Sequence, residues 1–200
     1  MKKFIALLAV LSLALTASRA GAETYAIDPV HSSVGFSLRH MVSKFTSSFT
    51  KVTGSISYDA ATPEKSSVEA TIDIGSVSTA NEKRDGHLKT PDFFDLAKFP
   101  TATFKSKSWK KTGETTFDVT GDLTIKNVTK EVVLKTELVG SGPGMGGATL
   151  LGWEGKTTLK RSDFVVGLDK FLPVLGDDVA ITVGIEASHK PAAPATPAAK

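Results

Sequence analysis

Apolar and polar residues alternate with a period of two along much of the chain, the signature of strands with one face turned toward a core. Val34, Phe36, Leu38 and His40 alternate with Ser33, Gly35, Ser37 and Arg39. Ile56 and Tyr58 follow Gly54, and Val68, Ala70, Ile72 and Ile74 repeat the pattern. Phe117, Val119, Gly121, Leu123 and Ile125 face one way, while Thr116, Asp118, Thr120, Asp122 and Thr124 face the other. Further runs are Val132, Leu134, Thr136 and Leu138, then Thr149, Leu151, Trp153, Thr157 and Leu159, then Val179, Ile181, Val183, Ile185 and Ala187. Their richness in Val and Thr favours strand over helix. Turn residues separate the runs at Tyr58 to Pro63, Lys111 to Glu114 and Lys126-Asn127-Val128, and the stretch Gly140 to Gly147 reads as a longer hairpin loop. No Gly-Lys-Ser/Thr follows that glycine run, so it is not a phosphate loop.

One stretch departs from the alternation. Thr79-Ala80-Asn81-Glu82 has the form of a capping box with Thr79 as N-cap, opening a short helix through Leu88. Thr90-Pro91 then opens a second short helix carrying Phe93 and Phe94, and Phe99-Pro100 ends the crossover. The pattern predicts an all-β fold of about eight antiparallel strands with a short helical crossover. An eight-stranded barrel is just wide enough for one small ligand, and closure removes the exposed edges. An immunoglobulin-like sandwich is the structural competitor, with shorter strands and no need of an aromatic-rich crossover.

The two ends of the sequence read differently. Lys2 and Lys3, the apolar run Phe4 to Ala17 and the small-residue site Ala20-Gly21-Ala22 predict a signal peptide, residues 1–22, cleaved after Ala22. That places the mature chain in the periplasm, with no transmembrane span, since the apolar run is shorter than the roughly 20 residues that cross a bilayer. Residues 191–200 are a low-complexity Pro/Ala-rich tail expected to be disordered, leaving 23–190 as one domain. Loss of Lys2, Lys3 and Arg19 takes the 24 basic residues to 21, against 21 acidic ones. A formally neutral exported chain is a poor partner for polyanions, and nucleic acid is excluded on that ground. There is no cysteine, hence neither an acylated lipoprotein nor a disulfide framework.

The candidate chemistry is sparse. His31, His40 and His87 are the residues from which a zinc site or a periplasmic enzyme would be built. They lack the close spacing of metal motifs, and the chain has no Gly-x-Ser-x-Gly elbow. The expectation is a protein without catalytic residues or metal.

Several segments occurring in order resemble the YceI-like family of exported lipid- and polyisoprenoid-binding proteins, over about Tyr25 to Ser188. They are Tyr25-Ala-Ile-Asp-Pro-Val-His-Ser-Ser-Val-Gly-Phe36 with Arg39-His40, Lys83-Arg-Asp-Gly-His-Leu-Lys-Thr-Pro-Asp-Phe-Phe-Asp95 with Phe99-Pro100, Gly121-Asp-Leu-Thr-Ile-Lys-Asn-Val-Thr129, Arg161-Ser-Asp-Phe164 and Gly176-Asp-Asp-Val179. The resemblance implies an elongated lipocalin-like barrel, a periplasmic carrier role and frequent homodimers. It also implies an amphipathic lipid or isoprenoid quinone-like ligand as the sole bound group, with no other cofactor. On this reading His31, Arg39, His40 and His87 are candidates for the head group, and Phe36, Leu38, Leu88, Phe93, Phe94 and Phe104 for the apolar chain. Three positions depart from the family's pattern. Asn127 stands where glycine is common, Glu131 replaces a common proline, and Val165 stands where glycine often follows Asp-Phe, a change expected to narrow the mouth or alter the preferred chain length.

Overall fold

Strands form where the alternation is found, and they close on themselves. The computed structural model describes residues 21–167, 171 and 173–190. All of the expected signal peptide except Gly21 and Ala22, and the whole of the expected tail, lie outside the described residues.

The barrel has eight antiparallel strand positions, three of them interrupted. Strands β1 (Glu23–Ile27) and β2 (Ser33–His40) lie one after the other on the same edge of β11 (Leu175–His189), with Ala26 opposite Ser188 and Val34 opposite Val183. Strands β3 (Ser43–Phe49) and β4 (Val52–Tyr58) form the next position, pairing with β2 and β1 respectively. Strands β5 (Ser67–Asp73) and β6 (Val77–Ser78) pair with β4 and β3. Four uninterrupted strands, β7 (Thr101–Lys111), β8 (Thr116–Ile125), β9 (Val128–Pro143) and β10 (Thr149–Lys160), then lead back to β11. Two of the three breaks have a visible local cause. Between β1 and β2 the Ser32 hydroxyl donates to the Glu186 carbonyl and accepts from its N–H, replacing ladder bonds. Between β5 and β6 the Asp73 carboxylate accepts from the Gly75 N–H and turns Ile74–Ser76 into one 3-10 turn.

The ladder stops short at one place. β7 pairs with β5 and not with β6, so the sheet is open beside β6, and the crossover 79–100 packs there. Its helix α1 (Glu82–Leu88) is capped by Asn81, whose side chain accepts from the Arg84 N–H at 3.0 Å. Thr79 is therefore not the N-cap. Ala80 takes a left-handed turn (φ 56) and carries Thr79 away from the helix, where its hydroxyl donates to Asp85. The second expected helix does not form either. The Phe93 N–H and the Asp95 N–H both donate to the Thr90 carbonyl, and the Phe94 N–H reaches back to Leu88. Those bonds make turns and leave no i to i+4 ladder. The glycine-rich loop is also shorter than its composition suggests. Ser141, Gly142 and Pro143 pair with Leu151, Leu150 and Thr149, and the chain turns only at 144–148.

Interior residues fill the two ends unequally. Tyr58, Trp109, Phe117 and Trp153 meet ring to ring at one end, with centroids 5.2 Å apart for Tyr58–Trp153, 5.4 Å for Trp109–Trp153 and 5.8 Å for Phe117–Trp153. Gly121 makes room above this cluster. A Cβ there would lie 2.6 Å from Phe104 and 2.5 Å from the Lys105 carbonyl, so the ring can cover the strand only over glycine. Among the described residues no helix is long and apolar enough to cross a membrane.

Candidate functional site: a two-part apolar cavity with a basic mouth

The end opposite the tryptophans holds an outer cavity of about 590 Å³, within the range of roughly 300–1,000 Å³ that is usual for ligand pockets. Strand alternation supplies one wall, with Phe36, Leu38 and His40 from β2 and Val179 and Ile181 from β11 pointing in together. The crossover supplies another with Arg84, His87, Leu88, Phe93 and Phe94. The 3-10 turn Arg161–Phe164 closes the third side with Phe164, followed by Val166. A second, inner cavity of about 160 Å³ lies toward the tryptophans and has an almost wholly apolar wall. Phe49, Phe94, Ile125, Leu159 and Ile181 line both, so the two cavities are neighbours with these five side chains between them.

The described ionisable groups that line the outer cavity are His40, Lys44, Arg84, His87, Lys160 and Arg161, all of them basic. Arg84 donates through Nε and Nη2 to the Thr79 hydroxyl and carbonyl, and lies 4.3 Å above the Phe45 ring. His87 sits edge-on to Phe93 at 5.0 Å, with Nε2 3.3 Å from Asp92. A 2.9 Å hydrogen bond to Asp178 holds the Lys160 ammonium above its ordinary pKa of 10.5. Arg161 is buried, and its guanidinium donates to the carbonyls of Gly176, Val166, Gly167 and Leu175. It thereby ties the 3-10 turn to the start of β11. Gly167, in a left-handed conformation (φ 79), lets this happen, since a Cβ would meet Arg161 Nη1 at 2.8 Å.

Phe36, Leu38, His40, His87, Leu88, Phe93 and Phe94 therefore stand on the outer wall, and Phe104 on the inner one. His31 and Arg39 line neither cavity. Arg39 occupies the strand face opposite Leu38 and His40 and donates to the Met41 carbonyl. His31 lies in the break between β1 and β2, exposed, with Nδ1 2.8 Å from Asp28 and 3.8 Å from Glu186. The hydrogen bond to Asp28 raises the His31 pKa above its ordinary 6.5, and lowers that of Asp28 below 3.8. Asp28, His31 and Glu186 are the one grouping of three potential metal ligands among the described residues. His31, His40 and His87 are thus not brought together as a zinc site.

Two departures from the family pattern resolve differently than expected. Val165 takes the left-handed conformation (φ 55), is 55% exposed and does not line the cavity, so it leaves the mouth unchanged. At the β8–β9 turn the left-handed residue is Lys126 (φ 56), not Asn127. The strand alternation did not single out Phe45 and Phe49 on β3. The face they share with Ser47 is diluted by that serine, whose hydroxyl donates to the Ser78 carbonyl. Arg84 and Arg161 sit inside the quoted segments, yet only the fold shows that they reach the cavity.

Comparison with known proteins agrees with this architecture. The YceI-like domain profile matches residues 25–187. A UPF0312 protein of Azotobacter vinelandii is 39% identical over 189 residues, covering 93% of this chain and 97% of its own. One from Ectopseudomonas mendocina is 41% identical over 180 residues, covering 88% and 93%. Among solved structures, BcnA of Burkholderia cenocepacia superposes with a TM-score of 0.74 at 25% identity, covering 80% of this chain and 98% of its own. The Campylobacter jejuni YCEI protein does so with a TM-score of 0.67 at 33% identity, covering 75% and 88%. A polyisoprenoid binding domain from Saccharophagus degradans shares the fold with a TM-score of 0.64 at 17% identity, covering 83% and 98%. With its eight-position barrel, interior cavity and matched profile, the chain belongs to the YceI-like family.

Proposed function

We propose that this protein is a non-catalytic periplasmic carrier that holds the long apolar chain of one amphipathic lipid, of isoprenoid or fatty type, inside the barrel. The observation that carries the reading is a pair of apolar cavities set one behind the other in the barrel, both lined by Phe49, Phe94, Ile125, Leu159 and Ile181. A core built only for stability fills such space with side chains to near-crystal density. The binding activity named for the Saccharophagus degradans domain of the same fold supports the ligand class.

The physical need for such a carrier is plain. Each methylene removed from water is worth about 0.8 kcal/mol, so a forty-carbon chain sums to roughly 30 kcal/mol. That exceeds the ceiling of about 20 kcal/mol for non-covalent complexes, so the sum is not an affinity. It measures the barrier to moving the bare chain through water. The polar head then rests at the mouth, where His40, Lys44, Arg84 and His87 favour a group rich in hydrogen-bond acceptors or negative charge. His40 and His87 have recognition roles here, while His31 pins the β1–β2 break from outside.

Leu38 is the position that tests the reading. It is 9% exposed and lies on the outer wall. Leu38→Trp fills space that a ligand needs, so the variant stays folded and binds cis-parinaric acid at least tenfold more weakly than delipidated wild type. If wild type binds no such probe and the variant loses stability by the roughly 1–3 kcal/mol typical of overpacking, the interior is an ordinary core and the reading is wrong.

A further inference from the structure

The hairpin between β2 and β3 reverses through two residues, Met41 and Val42, with His40 opposite Ser43 behind them. Two-residue hairpin turns favour glycine, asparagine or aspartate, because their backbone enters the left-handed region. Met41 holds φ 50 there and is 55% exposed, and Val42 is fully exposed. Burial explains neither side chain. One step further back, Arg39 and Lys44 lie directly opposite each other, both exposed. Like charges so placed destabilise a strand pair, and among the described residues neither cation is in an ion pair. No Asp or Glu occurs between Asp28 and Asp59, so the hairpin carries no counter-charge of its own. On flanking elements Asp178 is bonded to Lys160, Asp177 to Ser162 and Asp85 to Thr79. The tip thus carries two costs to stability, an apolar pair in water and an unbalanced pair of cations.

We propose that this tip docks the protein on an anionic lipid surface, with Met41 and Val42 entering the layer and Arg39 and Lys44 meeting its phosphates. The spacing fits. Arg39 lies two strand residues behind Met41, roughly 7 Å, and interfacial apolar side chains reach about 5–10 Å into the boundary between headgroups and acyl chains. Two side chains on a turn are far too few for a protein interface, which takes roughly 800 Å² from each partner. A lipid layer accepts a point and needs no matching shape. His40, Ser43 and Lys44 beside the tip line the outer cavity, and the Met41 N–H donates to the carbonyl of Val174 on the same rim. A docked tip therefore brings the mouth to the layer. Docking rests on the tip and its charges alone; that it serves to load or unload the cavity rests on the carrier reading.

Flotation with vesicles of equimolar phosphatidylglycerol and phosphatidylcholine tests the inference, with pure phosphatidylcholine vesicles as the uncharged counterpart. Wild type is expected to bind the mixed vesicles roughly tenfold or more tightly than the neutral ones, each Lys or Arg near an anionic surface being worth about fivefold. Met41→Ser/Val42→Ser should weaken binding to the mixed vesicles by roughly tenfold or more, through the apolar area no longer withdrawn from water. Met145→Ser removes an exposed apolar residue from the β9–β10 turn, at the opposite end of the barrel, and should change nothing. Met41 and Val42 line neither cavity, so the double variant should bind cis-parinaric acid as wild type does. Wild type that binds this probe but neither vesicle overturns docking and leaves the carrier reading standing; vesicle binding without probe binding does the reverse. Binding that survives in the double variant, or is equal on both vesicles, overturns docking too. So does a wild-type dimer that the double variant returns to monomer with no vesicle binding, since the tip is then a contact between copies.

Discussion

At one end of the barrel Tyr58, Trp109, Phe117 and Trp153 interlock ring against ring, whereas at the other Phe36, Leu38, Phe93 and Phe94 line about 590 Å³ of space. The strands at the two ends alternate in the same way and belong to the same closed ladder. The difference arises from what interrupts the strands. At the tryptophan end β7 to β10 run unbroken and their inward side chains narrow the free space to about 160 Å³. At the mouth the β7–β5 pairing ends at Thr101, and a crossover and a 3-10 turn take the place of further sheet. Turns cannot fill a barrel as strands do, because their backbones must run along its rim with their polar groups satisfied. The lesson is that one alternating pattern can build both a plug and a pocket, and that the irregular segments decide which.

The comparison breaks most visibly by truncation. Phe117→Ala, at a site 2% exposed in contact with both tryptophans, is expected to cost about 3–5 kcal/mol of unfolding free energy. Leu38→Ala, on the wall of the outer cavity, is expected to cost less than half as much, since one side of Leu38 already faces space. Urea denaturation of both variants checks the contrast. Equal losses would mean that the two ends are packed alike.

A smaller effect sharpens the edge of the mouth. Val165 is a β-branched residue at φ 55 on the rim, a conformation that costs about 1 kcal/mol relative to glycine. Val165→Gly should therefore raise the denaturation midpoint by about 1 kcal/mol in equivalent stability. Because Val165 lies outside the cavity, probe affinity should be unaltered. A change in affinity larger than the change in stability would place Val165 in the site after all.

The smallest effect concerns the β1–β2 break, where His31 and Asp28 line neither cavity. The folded-state pKa of His31 is raised by Asp28, so the pair's contribution to stability is complete below the unfolded value near 6.5 and is lost as pH rises through the folded pKa. Asp28 is lowered, so on the acid side the contribution present above its ordinary 3.8 is lost as pH falls through the depressed value. NMR titration should find His31 above 6.5 and back near it in Asp28→Asn. An unchanged titration in that variant would show that Asp28 is not the cause.

Much of this fold is legible in the sequence because a half-buried strand has to alternate. Leu38 and Phe36 are readable as interior for that reason, and Gly121 as part of the inward face of β8. β7 is not readable in this way. A bulge between Ser106 and Ser108 shifts its parity, so Ala102 and Phe104 face inward together with Trp109, at an odd spacing. β3 escapes because Ser47 interrupts its apolar face, and β1 because five residues are too few to establish a period. The candidate site is legible only in part. The phenylalanines of the crossover could be named from the quoted segments, but the basic mouth depends on Lys44, Lys160 and Arg161 arriving from three separate elements. No local pattern encodes that convergence. His31 and Arg39 belong to the same quoted segment as Phe36 and His40, and face elsewhere because sequence proximity on a strand does not mean a shared face.

The central claim is that the barrel carries a long apolar molecule, and mass spectrometry of the intact protein tests it most directly. Protein purified without detergent, sprayed under native conditions, should show a population heavier than the polypeptide by the mass of one lipid-sized compound. That excess should disappear on denaturation in organic solvent and be recovered in the extract, and Leu38→Trp should lack it. A single species at the mass of the bare polypeptide, with an empty extract and no uptake when long-chain lipid is added back, would contradict the account.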